Sequence, residues 1–195
     1  MAARDLPRGV LEGHGVRLEP YSPEHLAALT AALARPDVFA GGWGGGPAGV
    51  RLGEEFAAWL PTYLPGATAV PYVVHDVAGD IIGTSSIGDL VAANESAHIG
   101  WTAYAPPVWG TRVNPACKLL LLSHLFDHGY GRVKLQADER NARSRAGILK
   151  LGATFEGITR REQQRADGSW RDTAVYSITI DDWPRVREGL LARLA

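Results

Sequence analysis

Residues 114–128, Asn-Pro-Ala-Cys-Lys-Leu-Leu-Leu-Leu-Ser-His-Leu-Phe-Asp-His, set the tightest limit on what this chain can fold into. The pattern is helical, but the run Leu119–Leu122 is too apolar for one narrow stripe. Such a helix has to be deeply buried. The segments around it follow the other period. Val70–His75, Ile81–Ile87 and Ala97–Tyr104 lie ahead of it and Arg132–Ala137 behind it, all with the β-branched and aromatic content of strands.

The remaining segments fill in the order of elements. Residues 1–13 carry Gly, Pro and charges without a period and are expected to be a loose lead-in. From His14 to Tyr21, Val16, Leu18 and Pro20 alternate with Arg17 and Glu19, which predicts an edge or first strand. Ser22 then caps a helix with Pro23 in its first turn, running through Glu24–Ala34. Arg51–Tyr63 has Leu52, Phe56, Trp59 and Leu60 at helical spacing. Ala142–Leu151 predicts a helix stopped by Gly152. Phe155–Arg165 and Arg171–Ile180 predict a hairpin around Ala166-Asp167-Gly168-Ser169, and a last helix starts at Asp181-Asp182. The order β-α-α-β-β-β-α-β-α-β-β-α places the chain in the α/β (α+β) class, as one mixed sheet covered by helices. The expected division is a lead-in, 1–13, and a single domain, 14–195.

Composition narrows the function. The 195 residues carry 20 Lys+Arg against 21 Asp+Glu, a net charge of −1, which removes the general electrostatic case for nucleic acid or an anionic membrane. One cysteine makes neither an internal disulfide nor a multi-thiolate metal site. With no long apolar run and no cleavable leader pattern, the expectation is a soluble cytoplasmic protein without a resident metal.

Three stretches carry chemistry. Trp109-Gly110-Thr111-Arg112-Val113-Asn114-Pro115 joins a strand to the buried helix, with Asn114 expected as its cap. Free N–H groups and the positive helix end suit a phosphate there, and a plain capped helix is the alternative. Asn141-Ala142-Arg143-Ser144-Arg145 opens a short amphipathic helix leading to Leu151-Gly152 and Glu156-Gly157. Gly41-Gly42-Trp43-Gly44-Gly45-Gly46-Pro47 is the densest glycine segment. It is either a mobile substrate lip or a connection whose tryptophan tucks against the core.

Taken together, the strand, the Trp-Gly-x-x-x-Asn loop, the long helix, the Asn-x-x-Ser helix, Leu-Gly and Glu-Gly resemble the GNAT superfamily of N-acetyltransferases. Within it they resemble the branch typified by the ribosomal-protein N-terminal acetyltransferases (RimJ/RimL type). Val16-Arg17-Leu18-Glu19-Pro20 and the ending Arg171-Asp172-Thr173-Ala174-Val175-Tyr176-Ser177-Ile178 … Trp183-Pro184 are similar to that branch as well.

The resemblance implies a mostly antiparallel, twisted sheet splayed in the middle for acetyl-CoA, and direct transfer to an amine. It puts the pyrophosphate loop at Trp109 to Asn114, with the amides of Gly110, Thr111, Arg112, Val113 and Asn114 on the phosphates. It puts an oxyanion-stabilising amide at Trp101 or Thr102. Asn141 matches a position that binds pantetheine or orders its helix, and Ser144 one that could protonate the leaving thiolate. Arg140, Arg143 and Arg145 fall near the adenine and phosphate end of CoA, where Arg145 is a candidate contact and a solvated helix face is the alternative.

The sequence departs from the family pattern at Arg112, where glycine is usual, and at Asn114, where Gly or Ala is usual. It departs again at Ile148, where many relatives carry a tyrosine acid, and at His98, often Glu. A free amine needs a proton acceptor that titrates near working pH. His98 and Glu162 are the candidate bases; the alternatives are a hydrogen-bonded strand histidine and a surface charge. Trp43 and Tyr104 are candidate acceptor-pocket residues, and Asp138 and Asp172 are expected to orient loops or pair with arginines. Cys117 is expected in the core. Expected partners are acetyl-CoA and a peptide N-terminus or small-molecule amine, with no nucleic acid or membrane, and a homodimer left open. A non-catalytic CoA-binding or interaction module is the competing function.

Overall fold

A computed structural model of the chain describes residues 3–66, 68–165 and 167–195. Eight strands form one sheet in the order β1-β2-β3-β4-β5-β6-β8-β7. Strands β3 (Val70–His75), β4 (Ile81–Val91) and β5 (Ser96–Tyr104) form an antiparallel meander. Strand β6 (Arg132–Asp138) runs parallel to β5, and β7 (Thr154–Gln164) and β8 (Trp170–Thr179) complete the other half.

The expected loose lead-in is instead docked: the Arg4 amide donates to His128 O at 3.0 Å, and Ala3 and Leu6 pack against the main core. Leu11–Gly13 forms β1, which turns through His14 and Gly15, both at positive φ, onto β2 (Val16–Pro20). Three residues are too few to show alternation, so the sequence hides this strand. At the other end of the chain, the expected turn between β7 and β8 includes Ala166, which lies outside the described residues. Asp167 Oδ1 accepts from the Ser169 amide there.

The helices divide into two cores. Helix α4 (Val113–Asp127), with α5 (Ala142–Lys150) and α6 (Trp183–Ala192), shares a cluster with Tyr72, Ile87, Ile99, Leu135 and Tyr176 of the sheet. As its composition demands, α4 buries Leu119, Leu121, Leu122 and Leu125 to 3% exposure or less. Its first residue is Val113, so Asn114 lies inside the first turn and is not the cap. The expected Ser22 start opens as a single 3-10 turn, Pro23–His25, before α1 (Leu26–Leu33), and the Ser22 amide donates to His25 Nδ1 at 3.0 Å.

The second core takes α1, α2 (Pro36–Ala40) and α3 (Gly53–Tyr63) with Val73 and Ala103 of the sheet. The short α2 was not anticipated. The glycine segment after it is packed: Trp43 is buried, with its ring 5.3–6.1 Å from those of Phe39, Phe56, Trp59 and Tyr63. A Cβ on Gly42 would sit 2.3 Å from Asn141 Nδ2, and one on Gly44 2.9 Å from Phe39 and Trp59. The glycines are there because the backbone approaches its neighbours too closely for side chains.

Candidate functional site

Strands β5 and β6 pair only over Ser96–His98 with Arg132–Lys134. Beyond that point β5 stays on β4 as far as Tyr104, and β6 stays on β8 as far as Asp138. The sheet therefore splays between them, and among the described residues the β6-facing edge of β5 from Ile99 to Tyr104 has no strand partner. An unpaired edge offers a row of N–H and C=O groups to an extended ligand.

The free edge carries a bulge. Thr84 pairs with Ala103 and Ser86 with Gly100, so Trp101 and Thr102 together oppose Ser85, with Trp101 at φ +51°. A bulge of this kind re-aims side chains and amides. Trp101 turns to the α1–α3 side, its ring 5.0 Å from that of His98, in space that a Cβ on Gly88 would enter at 2.9 Å. Thr102 turns to the α4 side, where its hydroxyl lies 2.7 Å from Ser85 Oγ and accepts from Lys118 Nζ at 2.8 Å.

At the mouth of the splay, the loop from β5 to α4 is anchored by Trp109 Nε1 donating to Tyr104 O at 2.7 Å. Thr111 Oγ1 donates to Val108 O and receives the Val113 amide at 3.4 Å. Among the described residues, the amides of Gly110, Arg112 and Asn114 have no protein partner. Gly110, at φ +75°, has nothing within 4 Å of where a Cβ would stand. Open amides at the positive end of a fifteen-residue helix suit an anion such as a phosphate. The Arg112 guanidinium does not crowd them, because it turns away to the Leu194 carbonyl.

Helix α5 is capped by Asn141, whose Oδ1 accepts from the Ser144 amide at 2.9 Å and whose Nδ2 donates to Gly41 O at 2.5 Å. This side chain joins α5 to the glycine segment. Arg143 lies over the Trp109 ring at 4.2 Å, joining α5 to the phosphate loop. Arg145 donates to Tyr176 Oη and Glu139 O, both at 3.2 Å. Asp138 holds Arg165 through both carboxylate oxygens at 2.7 and 2.8 Å, and Asp172 Oδ1 accepts from the Arg161 amide, so both acids brace the hairpin as expected.

The proposed bases lie in different settings. His98 is 3% exposed, with Nδ1 3.2 Å from Asp89 Oδ2 but off the hydrogen-bonding line, and Nε2 without a partner. Burial, helped by the Lys134 charge, pushes its pKa down to about 4, so the ordinary imidazole range does not apply. Glu162 is exposed on the edge strand β7, inside a register shift between Thr159 and Gln163. The two aromatic candidates fall on opposite sides of the sheet. Trp43 belongs to the α1–α3 core and Tyr104 to the α4 core. Tyr104 lies beside Cys117, whose thiol burial pushes up to about 11, consistent with a packing role for the cysteine.

Ser85 was missed, and Lys118 was seen only as one of the basic residues gathered toward the proposed cofactor end. Lys118 is 5% exposed, and burial pushes its pKa down to about 8. Arg143 was seen only as one of a basic group. On the α1–α3 side, Trp43 Nε1, Arg171 Nε and Thr173 Oγ1 are buried without partners among the described residues. Away from the splay, Glu19, His25 and His75 lie close enough to share a cation. However, Glu19 pairs with Arg17 and His25 Nδ1 is occupied by Ser22. No helix among the described residues is long and apolar enough to cross a membrane.

Residues 16–154 match the family model described as an acetyltransferase (GNAT) domain. A search of curated proteins gave no match. Among solved structures, a GCN5-related N-acetyltransferase from Brucella melitensis superposes with a TM-score of 0.88 at 28% identity, over 100% of this chain and 90% of that one. A protein described as an acetyltransferase from T. thermophilus is 30% identical over 98% of this chain and 100% of its own, with a TM-score of 0.84. Mycobacterium smegmatis RimJ, solved with CoA-disulfide, shares the fold at 23% identity and a TM-score of 0.73, over 94% and 92% of the two chains. With a splayed mixed sheet, a bulged free edge and a family match over most of its length, the chain belongs to the GNAT acetyltransferase family.

Proposed function

We propose that this protein is an acetyl-CoA-dependent N-acetyltransferase that moves the acetyl group directly to a primary amine, on a peptide N-terminus or a small molecule. The observation that carries this is the unpaired, bulged edge of β5 beside the open amides that precede α4. Acetyl-CoA supplies an acyl group activated as a thioester. Within the Gly110–Asn114 loop the open amides of Gly110, Arg112 and Asn114 hold its pyrophosphate, and the edge of β5 pairs with its extended arm. The amide at Trp101 or Thr102 receives the thioester carbonyl, where a fixed donor stabilises developing negative charge. Asn141 holds the start of α5 in place, which keeps Ser144 at its first turn to protonate the thiolate and Arg145 toward the nucleotide end.

The amine is received on the α1–α3 side, where packed Trp43 forms part of the wall and where, among the described residues, buried polar atoms have no protein partners. His98 and Glu162 both stand as candidate proton acceptors: His98 is neutral above about pH 4 with an open Nε2 but is a weak base there, and Glu162 is exposed on β7. Tyr104 lines the α4 side of the same strand.

The test is release of free CoA when acetyl-CoA is mixed with a panel of peptides and small amines. Turnover on at least one class is expected. Tight binding with no turnover on a broad panel would favour the non-catalytic CoA-binding module, and absence of acetyl-CoA binding by calorimetry would refute both.

A further inference from the structure

Lys118 is a buried cation without a counter-charge. Among the described residues its ammonium meets no carboxylate, only Ser85 Oγ at 3.0 Å and Thr102 Oγ1 at 2.8 Å. The titratable groups packed nearest are Cys117 on its own helix and Tyr104 on β5, both pushed further toward their neutral forms by burial. His98, on the other face of β5, is neutral as well near pH 7. A fully buried charge among neutral groups is costly, and an apolar side chain would pack this helix better. Such a group is a candidate for function when it meets the working part of a site.

Here it meets the bulge. The ammonium can only donate, so both hydroxyls accept from it. With the one Thr102 hydroxyl proton directed to Gly100 O at 3.3 Å, Ser85 is the donor in its 2.7 Å bond to Thr102 Oγ1. The chain of donors runs from α4 across β4 to the carbonyl that precedes Trp101. On the opposite face, Trp101 is held over Gly88 against His98. The bulge is clamped from both sides, with Trp101 in a backbone conformation that non-glycine residues rarely adopt.

We propose that Lys118 is a positioning residue for acetyl transfer, holding the amide-presenting bulge of β5 through the hydroxyls of Ser85 and Thr102. This rests on the acetyltransferase reading above. It acts on the placement of the carbonyl-binding amide and not on the phosphate loop, so binding and turnover should separate.

The experiment compares wild type with Lys118→Met, Thr102→Val, Thr102→Ser and the Lys118→Met/Thr102→Val double variant. CoA affinity is read by calorimetry, and kcat and KM come from CoA release. Lys118→Met should bind CoA within about twofold of wild type and lose on the order of tenfold or more in kcat, the scale of a disturbed oxyanion donor. Thr102→Val should lose a similar factor and the double variant little more, because the two act as one unit. Thr102→Ser, which keeps the hydroxyl, should lose less than Thr102→Val. Should Lys118→Met fail to fold, the Ser and Val variants at 102 still decide the matter. Unchanged kcat in Lys118→Met, or full additivity in the double variant, overturns the inference alone. Wild-type protein that binds CoA but acetylates no amine removes the acetyltransferase reading, and the inference with it.

Discussion

Replacing Gly42 by alanine tests the glycine segment and the cofactor-side helix together. Gly42 has φ 91° and ψ 4°, a left-handed conformation. A non-glycine residue there costs about 1–2 kcal/mol. The added Cβ would also stand 2.3 Å from Asn141 Nδ2. Asn141 must move, and with it goes the cap on the Ser144 amide, worth about 1 kcal/mol. The bond from Asn141 to Gly41 O goes as well. The expected total is roughly 2–3 kcal/mol of lost stability, or about 4–12 °C in Tm for a chain of this size. Urea and thermal denaturation measure it. Gly189→Ala is the control: the position is exposed within α6, has nothing within 4 Å of its Cβ site, and should gain up to about 1 kcal/mol. A Gly42→Ala protein within about 0.5 kcal/mol of wild type would refute the close approach, since surface substitutions typically fall inside that range.

Gly110→Val should weaken CoA binding in calorimetry and also cost about 1–2 kcal/mol of stability, because the position has open space around it but sits at φ +75°, a conformation valine rarely adopts; unchanged affinity would count against the proposed phosphate loop. Glu156 is pulled down to about 2 by Arg132, against the effect of its own burial and with help from Ser177. Its contribution is therefore complete above its ordinary pKa and is lost as pH falls from about 4.5 toward 2. Glu156→Gln should flatten the stability–pH curve in that window, and an unchanged slope would refute the pairing. Burial holds His98 neutral down to about pH 4, so stability should decline as pH drops from 6.5 to 4, with the decline reduced in His98→Gln. The same shift predicts no acid limb near 6.5 from His98 in kcat/KM; a limb there that vanished in His98→Gln would refute the neutral assignment.

Much of the architecture was legible because long elements repeat their period often enough to be recognised. Strand β3 falls on Val70–His75 as expected, and the apolar run of α4 is buried as expected. Short elements escaped: Leu11–Gly13 and Pro36–Ala40 hold too few residues for a pattern and are ordered by what they dock against. The start of α4 moved from Asn114 to Val113, within the usual fraying of helix ends. In the proposed site, the loop before α4, Asn141 and the strand around Trp101 were singled out through motifs spaced along the chain. His98 was found as well, but its chemistry was misjudged, since a free imidazole and one at 3% exposure share a letter and differ in solvation.

The amino-acid sequence by itself determined the class of fold, the placement of most elements and the family, because periodicity, turn residues and motif spacing are local properties. Tertiary structure alone decided three matters that depend on contacts between distant segments. The glycine segment is a packed cover and not an open lip, because Asn141 lies a hundred residues on and touches it. The bulge at Trp101–Thr102 exists only through the register of β5 against β4. Lys118 became a buried donor to that bulge because helix packing, not its own neighbours in sequence, took its ammonium out of water.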